Sequence, residues 1–280
     1  MKKASPYYTR AAANLIVIHL LKDLLTRLQK KGPEILFFRG ISLLGDVYPS
    51  IGERGMLDVD VLVRERDIGR LKKVLKVMGL KETEPGAFVK KGLSLDLHTS
   101  FLNLSRNVLE RSCLSVSIED VFKRSIPKEL DGMEIKIPCP VHLFISTAVH
   151  LQSHSFDSEK GWEDLKRIRK FYGLSDEVIR SEARLMGAER TLYYLRALRP
   201  GSYPSWRGRL SLGERWILKR IRRGTFHQNF GDLLFLFQSK KKGKALQELF
   251  FPEDISFTIM LDRLKKSLLL LKTMLSGSKK

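Results

Sequence analysis

The sequence predicts an α+β protein: an N-terminal mixed sheet with flanking helices, followed by a helical C-terminal domain. Three observations carry this expectation. Short runs dominated by β-branched residues and leucine read as strands: Ile35-Leu36-Phe37-Phe38, Asp58-Val59-Asp60-Val61-Leu62-Val63 and Leu93-Ser94-Leu95-Asp96-Leu97-His98. Amphipathic spacing before and between the first two strands and the third reads as helix. From Val141 onward the pattern is helical to the end.

Taken in order, Pro6 to Lys31 reads as one amphipathic helix, with Leu15, Ile18, Leu21, Leu25 and Leu28 near helical spacing. Lys31-Gly32-Pro33 ends it. The first strand follows. Arg39-Gly40-Ile41-Ser42 then turns the chain into a short helix, Leu43 to Tyr48, and a loop runs from Pro49 to Met56. After the strand with Asp58 and Asp60, Asp67 caps a helix with apolar Ile68, Leu71, Val74, Leu75 and Met78, closed by Gly79. Two or three strands run from Leu80 to Phe101, with Pro85-Gly86 and Lys91-Gly92 as turns. Asn103 to Ile137 is less regular, with a short helix near Ile118–Lys123 and a strand at Met133–Ile137. Helices are then expected at Val141–Ser155, Gly161–Tyr172, Ser175–Leu198, Ser211–Arg222, Asn229–Gln238 and Ile255–Leu275. A boundary falls at Pro138-Cys139-Pro140, giving domains of residues 1–137 and 138–280.

A chain of 280 residues at 43% hydrophobic content can bury a sizeable core without a partner. Cys113 and Cys139 give neither a disulfide framework nor metal spacing, which fits buried, reduced thiols in a cytoplasmic protein. The apolar stretch after Met1-Lys2-Lys3 is broken by Arg10, His19, Lys22 and Asp23, a poor signal peptide and no transmembrane span. The formal charge of +20 is uneven: +7 for residues 1–100, +2 for 101–200 and +11 for 201–280. The last segment is a candidate surface for a polyanion, either nucleic acid or anionic lipid; a basic proteome or simple solubility is the other reading. The run Lys240 to Lys244 reads as a solvated turn.

Chemistry concentrates in three carboxylates. Residues i and i+2 of a strand face the same way, so Asp58 and Asp60 project together with Cα atoms about 7 Å apart. A buried carboxylate pair repels itself and loses hydration, so a cation or proton must compensate. Asp96 from a neighbouring strand would complete an all-oxygen site for magnesium.

Arg39-Gly40, Tyr48-Pro49, Arg54, Asp58-Val59-Asp60-Val61-Leu62-Val63, Gly79 and Asp96-Leu97-His98, in that order and spacing, resemble an uncharacterised bacterial and archaeal nucleotidyltransferase family of the DNA-polymerase-β-like superfamily. Members show Lys-Gly after the first strand, Tyr-Pro, an Arg before Asp-x-Asp, and an Asp-x-His strand. The likeness covers Ile35 to Phe101 and continues more weakly through Val141–Tyr172, with His150 and Asp164, and at Phe251-Pro252.

The resemblance implies metal-dependent transfer of a nucleoside monophosphate from a nucleoside triphosphate (NTP) to an acceptor hydroxyl. The acceptor would be an RNA 3′ end, a protein side chain or a small molecule, and the cation Mg2+ or Mn2+. It implies Asp58 and Asp60 as ligands of two metals, with Asp96 as third ligand and acceptor activator. It places phosphate near Arg39, Gly40, Ser42 and Arg54. Gly40 lacks a Cβ and opens a helix whose free N–H groups suit an anion. Ser42 sits one residue later than the superfamily's small residue beside its glycine, and Arg39 replaces the usual Lys, a planar fork in place of a point charge.

Other readings stand beside these. The three aspartates could form a salt-bridge cluster with Arg39 and Arg54. Arg54 could hold triphosphate or pin its loop to an aspartate. His98 could bind metal or orient a carboxylate. His150 and His154, at i and i+4, read as packing rather than zinc ligands. Lys90 and Lys91 read as surface residues that could approach phosphate. For the whole chain, the alternatives are a catalytically silent binder of RNA or a partner protein, and one component of a toxin–antitoxin-like pair.

Overall fold

A computed structural model describes residues 5–29, 32–90, 92–102, 113–203, 206, 208–224 and 230–239. Lys91, the Lys240–Lys244 run, Phe251-Pro252 and the helix expected at Ile255–Leu275 lie outside the described residues. Contacts divide the chain into two units. One takes residues 1–104, 116–147 and 159–182; the other takes 105–115, 148–158 and 183–280.

The first unit is built on a five-stranded mixed sheet of order β1-β2-β5-β4-β3. Strand β1 (Ile35–Phe38) runs antiparallel to β2 (Val59–Val63), and every residue of both is buried. Strand β2 pairs parallel with β5 (Leu93–His98), as a crossover through helix α2 (Ile68–Val77) allows. Strands β3 (Lys81–Glu84) and β4 (Ala87–Lys90) return antiparallel to β5. The edge strand β3, Lys-Glu-Thr-Glu, is fully exposed, and its charges discourage pairing with another chain. Phe37, Val61, Leu71, Leu75, Phe88 and Leu95 are fully buried, each worth about 1.5–3 kcal/mol of transfer from water.

Helix α1 (Pro6–Gln29) packs against α2 and β5 and buries Ile18, Leu21 and Leu28 of the expected face, but not Leu15 or Leu25. Asn14, Val17, Ile18, Leu21, Leu24 and Leu28 are inside, whereas Leu15 is 49% exposed and Leu25 half-buried. Positions 14 and 15, and 24 and 25, both border the shared face, so periodicity alone leaves its edge uncertain by one residue. Asp67 stands at the N-cap of α2 without a capping bond. Its carboxylate instead pairs with Arg70 at 3.3 Å and Arg66 at 3.7 Å. The helix expected over Leu43–Tyr48 is replaced by a 3-10 turn at Ile41–Leu43. Leu44 then turns extended, at ψ 145°, and bridges to Tyr48. Helix α3 (Ile118–Lys123) is capped by Ser117, whose hydroxyl accepts from the Asp120 N–H. The strand expected at Met133–Ile137 is β7. It pairs with β6 (Ile126–Leu130), which the sequence reading missed because Pro127 marks a break. Cys113 and Cys139 form no disulfide with each other and are half-buried, less enclosed than expected.

Helices α4 (Pro140–Ser153) and α5 (Glu159–Phe171) lie within two residues of expectation. The single helix expected over Ser175–Leu198 is two, α6 (Asp176–Leu185) and α7 (Glu189–Leu198). Gly187 separates them at φ +73°, and a Cβ there would fall 2.2 Å from the Cys113 carbonyl oxygen. Helices α8 (Leu212–Arg222) and α9 (Phe230–Gln238) complete the described second unit. Its interior holds a charged group. Glu214, fully buried, accepts from the Tyr194 hydroxyl at 2.6 Å, from Ser211 N and Oγ at 2.7 and 2.8 Å, and from Arg190. Ser211 and Glu214 form a capping box, which starts α8 and satisfies the buried carboxylate together.

Candidate active site

Asp58 lies just before β2 and is exposed, whereas Asp60, inside the strand, is 3% exposed. The expected buried pair is therefore one buried and one exposed carboxylate, because the strand begins a residue later than its apolar pattern suggests. The parallel register sets Asp60 opposite Asp96, and opposed residues of neighbouring strands share a face. His98, two residues beyond Asp96, shares that face. Its Nε2 lies 2.9 Å from Asp60 Oδ1, so it orients the carboxylate. Arg39 Nη1 donates to the same oxygen at 2.7 Å.

Asp96 is half-buried, and neither its carboxylate nor that of Asp58 has a hydrogen bond or ion pair among the described residues. Burial, then the charges of Asp58 and Asp60, holds the Asp96 carboxyl above the usual range, against the opposing pull of His98 and Arg39. Asp60 is compensated by Arg39 and His98, whereas Asp58 and Asp96 are not; such oxygen donors suit a hard divalent cation, although the three carboxylates do not already lie within 4.8 Å of one another, as the ligand atoms of a gathered metal group do.

The turn after β1 is fixed from within. Arg39 is left-handed at φ +57°, sparsely populated for a residue with a side chain. Ser42 is buried; its hydroxyl donates to the Arg39 carbonyl at 2.7 Å. Buried Lys128 donates to the Ser42 carbonyl at 2.9 Å and pairs with Asp46 at 3.1 Å. Burial holds its ammonium below the usual lysine range, with Asp46 opposing. Arg39 Nε is buried without a hydrogen-bond partner among the described residues.

Arg54 sits against this turn rather than on the three aspartates. Its Nε and Nη2 donate to Asp164 Oδ1 and Oδ2 at 2.9 and 2.8 Å, and the Tyr48 hydroxyl donates to Asp164 Oδ1 at 2.7 Å. Its Nη1 would lie 2.6 Å from a Cβ on Gly40 and Met56 Cγ 3.2 Å from it, so a glycine there admits the guanidinium. Gly40 itself is right-handed, at φ −45°; the space explains the residue, not the conformation. Helix α1 anchors the same loop from the other side. Arg10 Nε donates to the Gly52 carbonyl at 2.9 Å. Asn14 Nδ2 donates to the Ile51 and Arg54 carbonyls at 2.7 and 2.8 Å, and Tyr7 bonds Ser50.

Besides Lys128, two residues around these turns escaped the sequence reading. Asn14 was masked by the apolar face assigned to α1, although Tyr7, Arg10 and Asn14 recur at helical spacing. Lys160 stands one turn before Asp164 on α5 and shares its face. Lys160 is exposed by surface area, yet partial desolvation and then Arg54 hold its ammonium below the usual range, with Asp164 and Asp58 opposing. Other expected contacts resolve elsewhere. Lys90 Nζ donates to the Met78 carbonyl at 2.5 Å, and the His150 and His154 rings meet edge to face at 4.5 Å. A separate group, Asp120, His142 and Glu182, has ligand atoms within 4.8 Å of one another, but Arg124 forks onto Glu182 at 2.8 and 3.0 Å.

The model of a family described as uncharacterised nucleotidyltransferase matches residues 4–199. No curated protein matches the chain. Among solved structures, the solution structure of the antibiotic-resistance factor ANT(2'')-Ia is similar at 12% identity and a TM-score of 0.44, over 61% of this chain and 93% of that one.

Proposed function

We infer the activity from one premise: the chain belongs to the uncharacterised nucleotidyltransferase family. The proposed reaction is transfer of a nucleoside monophosphate from an NTP to an acceptor hydroxyl, with Asp58, Asp60 and Asp96 as the carboxylates at the reacting phosphorus. The observation that supports this most is the pairing of Asp60 with Asp96 beside an exposed Asp58, three acids whose mutual repulsion nothing else offsets fully. Divalent cations held by these carboxylates would stabilise the attacking and leaving oxygens of an in-line displacement. In this reading Asp96 takes the proton of the acceptor hydroxyl as that oxygen bonds to the α-phosphorus and the bond to the β-phosphate oxygen breaks, releasing pyrophosphate.

The remaining residues bind and orient. Arg39 and the backbone of Gly40 face the phosphates; Ser42 and Lys128 hold their turn in shape. Arg54 works through its fixed guanidinium, with Asp164 and Tyr48 as positioning residues. Residues 1–137 are assigned as the catalytic domain, with Asp164 supplied from the chain beyond it, and 138–280 as the helical domain. Mg2+ or Mn2+ is the proposed cation. Cytoplasmic location remains part of this reading; among the described residues no helix is long and apolar enough to cross a membrane.

One observation favours a silent binding module instead: Arg39 already neutralises Asp60, so the carboxylates need less of a cation. Incubation with α-labelled NTPs, Mg2+ or Mn2+ and total cellular RNA and protein separates the readings. Label moved by the wild type and not by D58A/D60A is the expected result. Transfer that survives the double substitution removes the carboxylate assignment; neither transfer nor NTP binding leaves the silent module.

A further inference from the structure

The exposed face of α8 carries positive charge that no carboxylate among the described residues pairs. Arg215, Lys219, Arg222 and Arg223 recur at i, i+4, i+7 and i+8, so they form one stripe, and all four are exposed. The only carboxylate of the helix, Glu214, is buried and consumed by Arg190, Tyr194 and Ser211. Arg215 and Lys219, and Lys219 and Arg223, are like charges four apart, an arrangement that weakens a helix. The helix dipole accounts for Arg222 and Arg223 at the C-terminal end. It does not account for Arg215, which stands in the first turn, where that dipole disfavours a cation. Arg215 Nε donates to the Leu210 carbonyl at 3.0 Å and Arg222 to the Ala197 carbonyl, which fixes two of the four side chains. The Lys219 and Arg223 side chains have no hydrogen bond or ion pair among the described residues.

We propose that this stripe of α8 is a docking face for single-stranded nucleic acid. Cations a helical turn apart match a string of phosphates, and the Arg forks grip phosphate oxygens in pairs. Half-exposed Trp216 lies beside the stripe, with the Arg220 guanidinium over its ring at 5.1 Å, and gives a base an aromatic to stack on. An anionic membrane is the weaker fit. Such a helix needs a continuous exposed apolar face, and here Leu212 is the one large apolar side chain exposed on that side among the described residues. The inference does not depend on nucleotidyl transfer, since binding is measured without an NTP.

The test uses the full chain and fluorescence anisotropy of a labelled uridine oligonucleotide and its deoxyuridine counterpart across a KCl series. Three phosphate contacts carry a log–log salt slope of about 2 on a single strand. R215Q/K219Q/R223Q is therefore expected to bind about 100-fold more weakly near 0.1 M salt, with a slope shallower by about 2, while R215K/R223K, which keeps the charge and loses the fork, keeps the slope. Preference for the uridine or the deoxyuridine strand supports the proposal and names the sugar. Should the triple variant fail to fold, K219E gives the same readout with a single change. No binding by the wild type, an unchanged affinity and slope in the variants, or retention by phosphatidylserine vesicles in place of either oligonucleotide would overturn it.

Discussion

Asp164 holds Arg54 by two parallel bonds at 2.9 and 2.8 Å, with the side chains 5% and 7% exposed. Such a fork is stronger than a point contact and fixes orientation, so Arg54 reaches Gly40 in one pose. Removing one partner of a buried pair leaves the other charged and dry. D164A is expected to cost about 3–5 kcal/mol of stability in urea unfolding. Y48F, which leaves both forked bonds intact, should cost about 1 kcal/mol. Equal losses would show that Tyr48, not Arg54, is the anchor.

Asp96 should behave as a carboxylate held at a cost. Its folded-state pKa is raised, so its ionisation opposes folding: stability falls as pH rises from the ordinary aspartate range through the raised value. D96N is therefore expected to melt higher than wild type at neutral pH and to lose transfer. Mn2+ should raise the melting temperature of wild type more than that of D96N. A lower melting temperature for D96N without metal would contradict this.

Lys160 has no ion-pair partner among the described residues and works in the field of Arg54 and Asp58. Under the transfer reading it meets the triphosphate. K160M should raise the KM for NTP about 10-fold, as losing about 1.4 kcal/mol of charge-assisted contact implies, with kcat and the melting temperature little changed. An unchanged KM would return Lys160 to the solvated surface.

Glu214 sets an acid limb on stability. Burial pushes its pKa up, but Arg190, Tyr194 and Ser211 outweigh that and hold it below the usual range. Its contribution is complete above the ordinary glutamate pKa and is lost as pH falls through the lower folded value. E214Q should lose about 2 kcal/mol at neutral pH and show a flatter stability profile below pH ~4.5. An acid limb identical to wild type would assign that loss to other carboxylates.

Strands β1 and β2 were legible because the buried runs Ile35–Phe38 and Val59–Val63 leave little choice of state, whereas β6 was not, because Pro127 reads as a break. The α2 helix and the β3–β5 turns were legible because Gly79 and Gly86 need a left-handed backbone. The edge of the α1 face was only partly legible: Ile18, Leu21 and Leu28 are buried as their spacing predicts, but the period does not choose between Leu15 and Asn14 or between Leu25 and Leu24. The break at Gly187 was not, because its cause is the carbonyl of Cys113, far away in sequence. At the candidate site the sequence pointed to Asp58, Asp60 and Asp96 and to the nearby Arg39 and Arg54. It left open what Arg54 binds, and it hid the anchors Asn14 and Lys128, whose roles are bonds to backbone carbonyls that no motif records.

The opposition of Asp60 and Asp96 carries a rule of parity. Side chains alternate along β5, so one residue inserted between the β4 turn and Asp96 would present Leu95 to Asp60 and send the acid to the opposite face of the sheet. Lengths on either side of the β3–β4 hairpin can drift among related chains only where the turns absorb the change before β5 pairs. A homologue with an odd insertion inside β5 itself would keep every motif letter and still lose the arrangement.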